Sequence, residues 1–160
     1  MSPNTKTPFM SEILDGLFVG DAQTSKSHDF MIKNKINFIL NCSTDLENVF
    51  EDTLSIEYQR LSLEDHGREV DINNMFQALP SVVKELEERY KKGKNILIHC
   101  QAGAQRSATV AAAFLIHITK TTPEVATKHI LKFRPNAFFF GEKNNFQQAL
   151  DNFYKFNSNS

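Results

Sequence analysis

Residues 95–113, NILIHCQAGAQRSATVAAA, decide the fold of this chain. Ile96, Leu97 and Ile98 follow the turn residues Lys92, Gly93 and Lys94, and residues 95–99 read as a buried strand. From Ser107 the sequence is alanine-rich and apolar almost all round, which predicts a buried helix over 107–119. Between them stands Cys100, then Gln101, Ala102, Gly103, Ala104 and Gln105, then Arg106. A cysteine at a strand end, followed by five mostly small residues and a helix start, has its sulfur beneath a tight loop. The loop's backbone N–H groups can converge on one point and form an anion nest that the helix N-terminus continues. The same field favours thiolate. A thiol of pKa ~8.5 is only about 3% ionised at pH 7, whereas one at a helix N-terminus can fall to about 3.5–7.5, a gain in thiolate of up to roughly thirtyfold. Arg106 offers a planar fork to two oxygens of a tetrahedral anion. The chemistry this suits is attack of Cys100 on phosphorus, with the charge held by the loop and Arg106.

The rest of the chain supplies a scaffold of matching kind. Residues 13–19 are apolar on either side of Asp15 and Gly16, which predicts two short strands joined by a turn. Residues 35–41 hold Ile36, Phe38, Ile39 and Leu40, a buried strand, and residues 56–63 alternate loosely as another. Asp71 reads as an N-cap, followed by Ile72, Met75, Phe76, Leu79, Val82, Val83 and Leu86 at helical spacing. Pro80 lies inside that pattern and is expected to kink or break the helix. Pro123 and Glu124 open a further helix ending near Arg134 and Pro135, and a last one is expected over 142–156. Strands alternating with helices predict an α/β domain, its central, mostly parallel sheet of about five strands flanked by helices on both faces.

Composition sets outer bounds. At 160 residues and 18.3 kDa the length fits one domain, expected over residues 11–156, with a flexible segment at 1–10 and a polar tail at 157–160. Eighteen basic and nineteen acidic residues give a net charge of −1, which disfavours nucleic-acid binding by overall charge. Two cysteines, Cys42 and Cys100, cannot build a disulfide scaffold or a four-ligand zinc site. His28, His66, His117 and His129 show no metal-ligand grouping. No apolar run approaches the ~18 residues of a membrane span, and the first residues lack the apolar stretch of a signal peptide. These features lead to the expectation of a reducing cytoplasmic or nuclear setting.

His99-Cys100-x5-Arg106-Ser107 resembles the signature of cysteine-dependent protein phosphatases, and HCQAGAQRSAT resembles the dual-specificity group most. The likeness spans most of the chain. Residues 13–20 are similar to the family's opening strand pair, 39–43 to its next strand, 61–65 to its acid loop and 145–150 to its final helix. The resemblance implies the cysteine-phosphatase fold and a two-step reaction through a phosphocysteine, with no metal or other cofactor. By the same resemblance Cys100 is the nucleophile and Arg106 binds phosphate, together with the loop residues Gln101, Ala102, Gly103, Ala104 and Gln105. Ser107 donates to the sulfur when it leaves, and His99 orders the loop by hydrogen bonding. An acid must protonate the leaving oxygen. Asp65, 35 residues before Cys100, falls in the acid-loop position, with Glu64 the alternative and Asp71 read as a cap. Some relatives pair a second cysteine near Cys42 with the nucleophile in a reversible disulfide; a small buried thiol is the other reading. Arg134 stands where relatives carry basic residues near the pocket, as a secondary anion contact or an exposed helix end. Of Phe138, Phe139 and Phe140 at least one is expected on a pocket rim or partner surface, since three adjacent rings cannot share one core.

The substrate class follows from size and loop charge. The family's tyrosine-only members enclose phosphotyrosine with a recognition segment and a larger domain, which this chain does not supply. A shallow pocket admitting phosphoserine, phosphothreonine and phosphotyrosine on phosphoproteins is the expectation. Loop residues 101–105 are all uncharged, which argues against polyanionic headgroups and weakens the case for an RNA 5′-phosphatase. A catalytically inactive phospho-binding module is the third reading, though a pure binder does not require a thiol.

Overall fold

The computed structural model describes residues 10–138 and 146–158. Its sheet has the spatial order β1-β2-β5-β3-β4. Strands β1 (Met10–Leu14) and β2 (Leu17–Gly20) form an antiparallel hairpin, turned at Asp15 and Gly16. Gly16 has φ +80°, and a Cβ there would lie 2.8 Å from Asn95 Oδ1, so the turn requires glycine. Strand β5 (Ile96–His99) is parallel to both β2 and β3 (Phe38–Asn41), and β4 (Glu57–Arg60) closes the far edge, parallel to β3. Every residue of β2, β3 and β5 is buried, as parallel strands covered on both faces must be. The strand expected over 56–63 is shorter. It occupies an edge, where its exposed Glu57 and Arg60 are tolerated.

Side chains alternate between two cores. Leu17, Val19, Phe38, Leu40, Ile96 and Ile98 face the larger one. It is covered by helices α3 (Glu69–Lys91), α4 (Arg106–Thr119), α5 (Pro123–Phe133) and α6 (Gln147–Ser158). Phe18, Ile39 and Leu97 face the smaller core, with Met31 of helix α2 (His28–Lys33), preceded by the short α1 (Ala22–Ser25). The expected two-faced α/β sheet is therefore present. Helix α4 is buried without interruption from Ser107 to Ile116, against β5 on one side and α3, α5 and α6 around it. Met10 already belongs to β1, and α6 extends through Ser158 into the expected polar tail. Residues 1–9 and 142–145, along with Phe139 and Phe140, carry expectations that lie outside the described residues. Phe138 is half-buried and takes the left-handed region at φ +60°.

Two helix expectations are corrected. Pro80 does not break α3, which runs through it for 23 residues. Proline in a helix interior costs about 3 kcal/mol. Met75, Leu79, Val82, Val83 and Leu86 each bury a side chain on the same helix, at about 1.5–3 kcal/mol apiece, so packing wins. Asp71 is not the N-cap either; Arg68 is, and Asp71 sits three residues inside. From there its carboxylate accepts the backbone N–H groups of His66 (3.0 Å) and Arg68 (3.2 Å) and pairs with the Arg68 guanidinium at 2.8 Å. It is 1% exposed. The Arg68 hydrogen bond, aided by those backbone donors, lowers its pKa to about 2. A carboxylate lowered on folding stabilises above its unfolded value of ~3.9, and the contribution fades as pH falls through the folded one. Asp71→Asn is expected to cost about 2 kcal/mol at neutral pH. Chemical denaturation of the two proteins should show that gap closing between about pH 4 and pH 2, and a pH-independent gap would rule this account out.

Candidate active site

The parallel register aligns the carboxyl ends of three strands: Gly20 and Asn41 both stand opposite His99. Ligand sites of open α/β sheets form outside such ends, and Cys100 is the first residue beyond this one. Its Sγ lies 3.2 Å from Ser107 Oγ and 3.4 Å from the Ser107 backbone N, so the first turn of α4 points a hydroxyl and an N–H at the sulfur. The loop of residues 101–105 arches between strand and helix. Its carbonyls all find donors outside it. Gln101 accepts from Ala22 N (3.0 Å), Ala104 from Phe138 N (2.8 Å) and Gln105 from Thr109 N (2.9 Å). Ala102 and Gly103 accept from the Arg134 guanidinium. Carbonyl and N–H of one trans peptide point in opposite directions. With five carbonyls held by partners outside the loop, the N–H groups of residues 102–106 each point away from those partners, as an anion nest requires.

Gly103 is obligatory here. It has φ +65°, and a Cβ would meet Arg134 Nη2 at 2.6 Å and the Gly20 backbone at 2.7 Å. Arg106 bridges the loop and the segment before α3, donating from Nη1 to Leu63 O at 2.9 Å. Its Nε is buried and has no hydrogen-bond partner among the described residues, a cost that an anion in the loop would remove.

Asp65 and Glu64 lie in the segment that Arg106 grips, in different environments. Both Glu64 carboxylate oxygens are engaged, by Thr44 Oγ1 at 2.8 Å and His66 Nε2 at 2.6 Å, and these bonds hold it below the usual carboxylate range. Asp65 is half-buried. Burial pushes its carboxyl up, partly offset by the attraction of Arg106 and reinforced by Asp71.

One expectation is corrected and two others gain detail. Arg134 is not an exposed helix end: it is 2% exposed, and its guanidinium faces the back of the loop and Ser11. The signal was absent locally, because the carbonyls that bury it belong to residues about thirty positions earlier. His99 is fully buried, and burial lowers its pKa to about 4, so the ring is neutral. Among the described residues neither ring nitrogen has a partner within strict hydrogen-bond geometry, while the Cys100 backbone lies close enough to the ring to offset part of that lowering. Cys42 lies one residue beyond β3 with its N–H on His99 O at 2.8 Å, beside Cys100, and both cysteines are free. Burial first, then Cys100, raises its thiol well above the ordinary value. Among the described residues no three of His, Cys, Asp and Glu are grouped to hold a metal, and no helix is long and apolar enough to cross a membrane.

Comparison with known proteins bears on this geometry directly. The family profile described as "Dual specificity phosphatase, catalytic domain" matches residues 17–156. The chain belongs to that family. Human dual specificity protein phosphatase 6 is 30% identical over 152 residues, covering 92% of this chain and 39% of that protein. Zebrafish dual specificity protein phosphatase 22-A is 28% identical over 90% of this chain and 64% of its own length. The chain thus spans about two fifths of the first of these curated relatives. Among solved structures, DUSP15 superposes with a TM-score of 0.78 at 26% identity, covering 92% of this chain and 88% of that one. Human DUSP28 shares the fold, with a TM-score of 0.79 at 18% identity over 96% and 97% of the two chains. A dual specificity phosphatase domain accounts for the α/β sheet and for the strand, loop and helix around Cys100.

Proposed function

We propose that this chain is a cysteine-dependent phosphatase that hydrolyses phosphotyrosine and phosphoserine or phosphothreonine on proteins through a phosphocysteine intermediate. The observation that carries the reading is Cys100 Sγ held 3.2–3.4 Å from the hydroxyl and N–H of Ser107, beside a loop whose carbonyls are all engaged from outside it. The loop amides and Arg106 hold the phosphoryl oxygens while sulfur attacks phosphorus. Asp65 gives its proton to the departing oxygen, and its raised pKa suits it to carry that proton at higher pH than an exposed aspartate. Glu64, ionised and tied to Thr44 and His66, positions the segment instead. Water then attacks the phosphocysteine, Ser107 donating to the sulfur as it leaves. Uncharged residues 101–105 favour a single phosphate group over a polyanion.

The test is phosphate release from a peptide carrying phosphothreonine and phosphotyrosine, with reductant, using Cys100→Ser as the blank. Release from both residues, lost in the variant, is expected. Release from triphosphorylated RNA exceeding that from the peptide would replace this reading with an RNA-end phosphatase. Tight peptide binding without release would leave a phospho-binding module.

Cys42 enters the same reading as a resolving thiol, supported by its place next to Cys100 at the sheet's carboxyl edge. Peroxide would convert the Cys100 thiolate to a sulfenic acid. Attack by Cys42 then forms the S–S bond and releases water. Mild peroxide should cost the chain two hydrogens in mass, faster at alkaline pH because the buried thiol must ionise. Overoxidation of Cys100 in wild type as readily as in Cys42→Ser would sink the role.

A further inference from the structure

Arg134 is a fully charged side chain that the fold has buried behind the phosphate loop. Its Nε donates to Gly103 O, its Nη2 lies 3.4 Å from Ala102 O, and its Nη1 lies 3.3 Å from Ser11 Oγ on β1. Ser11 Oγ in turn donates to Phe133 O at 3.0 Å, which ties the end of α5 to the first strand. The missing side chain at Gly103 is what admits the guanidinium, since a Cβ there would lie 2.6 Å from Nη2. Burying a cation is costly unless its donors are used, and here they are used on two consecutive carbonyls of one five-residue loop. The ionisable groups that face it are Asp21 and Cys100.

We propose that Arg134 is a positioning residue for phosphate binding: by drawing the Ala102 and Gly103 carbonyls backward it turns the N–H groups of Gly103 and Ala104 toward the bound phosphoryl group. Peptide planarity alone produces this effect. A carbonyl fixed on one side of the loop fixes the next residue's N–H on the other. The other loop carbonyls are held by backbone N–H groups or by α4 itself. Positions 102 and 103 are the ones that depend on a distant side chain. The guanidinium's rigid fork spans both carbonyls, which one ammonium cannot do.

The proposal rests on the reading of residues 100–107 as a phosphate site, and the experiment separates the two. Cys100 is alkylated with iodoacetate in the full chain, and the inorganic phosphate concentration giving half-protection is measured by mass spectrometry. Thermal unfolding confirms folding, and neutral iodoacetamide reports thiol access alone. Wild type should be protected. Arg134→Met should need about tenfold more phosphate, with kcat/KM on an aryl phosphate falling by a similar factor. Arg134→Lys should fall between. A folded Arg134→Met with wild-type half-protection overturns the proposal. Should the methionine variant not fold, the lysine variant decides, and wild-type half-protection there overturns it equally. Absence of protection in wild type overturns the phosphate-site reading itself, and this proposal with it.

Discussion

Cys100→Ser is expected to lower kcat by about 10⁴-fold or more while phosphate binding survives. Loop amides and a helix N-terminus can favour an anion, yet they cannot make a useful alkoxide of serine at neutral pH, where thiols ionise far more readily than hydroxyls. A factor of 10⁴ corresponds to about 5.5 kcal/mol of transition-state stabilisation. The losses on removing a covalent nucleophile elsewhere are of that order. Binding should persist because the donors proposed for it, the N–H groups of residues 102–106 and the Arg106 guanidinium, are not touched by the substitution. The measurements are single-turnover phosphate release and calorimetric titration with a phosphopeptide. Turnover within tenfold of wild type would remove Cys100 as the nucleophile.

Asp65→Asn is expected to divide substrates by leaving group. Removing a general acid typically costs about 10²–10⁴-fold where the leaving oxygen must be protonated, as for the alkoxide of serine, and little where it leaves readily as an activated aryl oxide. The acid acts protonated. Burial raises the Asp65 pKa, so kcat on a phosphoserine peptide should hold to higher pH than an exposed aspartate would allow and then fall. The asparagine variant should lose that alkaline limb. Glu64→Gln leaves one acceptor oxygen for Thr44 and His66 to share and should cost far less, equally on both substrate types. Equal losses in Asp65→Asn on both substrates would tell against it as the acid.

How far the sequence announces these features depends on how local their causes are. The strand, loop and helix of 95–119 are set by neighbours in the chain, and the hairpin at Asp15 and Gly16 likewise, so both are visible in it. The start of α3 is not, because an aspartate can satisfy helix N–H groups from the N-cap or from three residues inside. Only the partnership with Arg68 distinguishes the two. Pro80 misleads because local propensity knows nothing of the core that holds Leu79 and Val82. Asp65 and Glu64 are chemically close and adjacent. What separates them is Thr44, twenty residues earlier, which claims one carboxylate and not the other. The burial of Arg134 rests on carbonyls of the Cys100 loop, and composition reads such an arginine as solvated.

The alignment of Gly20, Asn41 and His99 at one sheet edge bears on how the chain becomes reactive. The central strand is the last of the five in sequence, yet it separates the second from the third, so β2 and β3 meet no partner between them until β5 inserts. These are pairings of high sequence separation, whose loop-closure entropy must be met before contacts reward it. A chain without that insertion has no Gly20 backbone against Cys100 and no Arg134 behind its loop. The surroundings of the proposed nucleophile are thus a property of the completed topology, assembled only where β5 lies between β2 and β3.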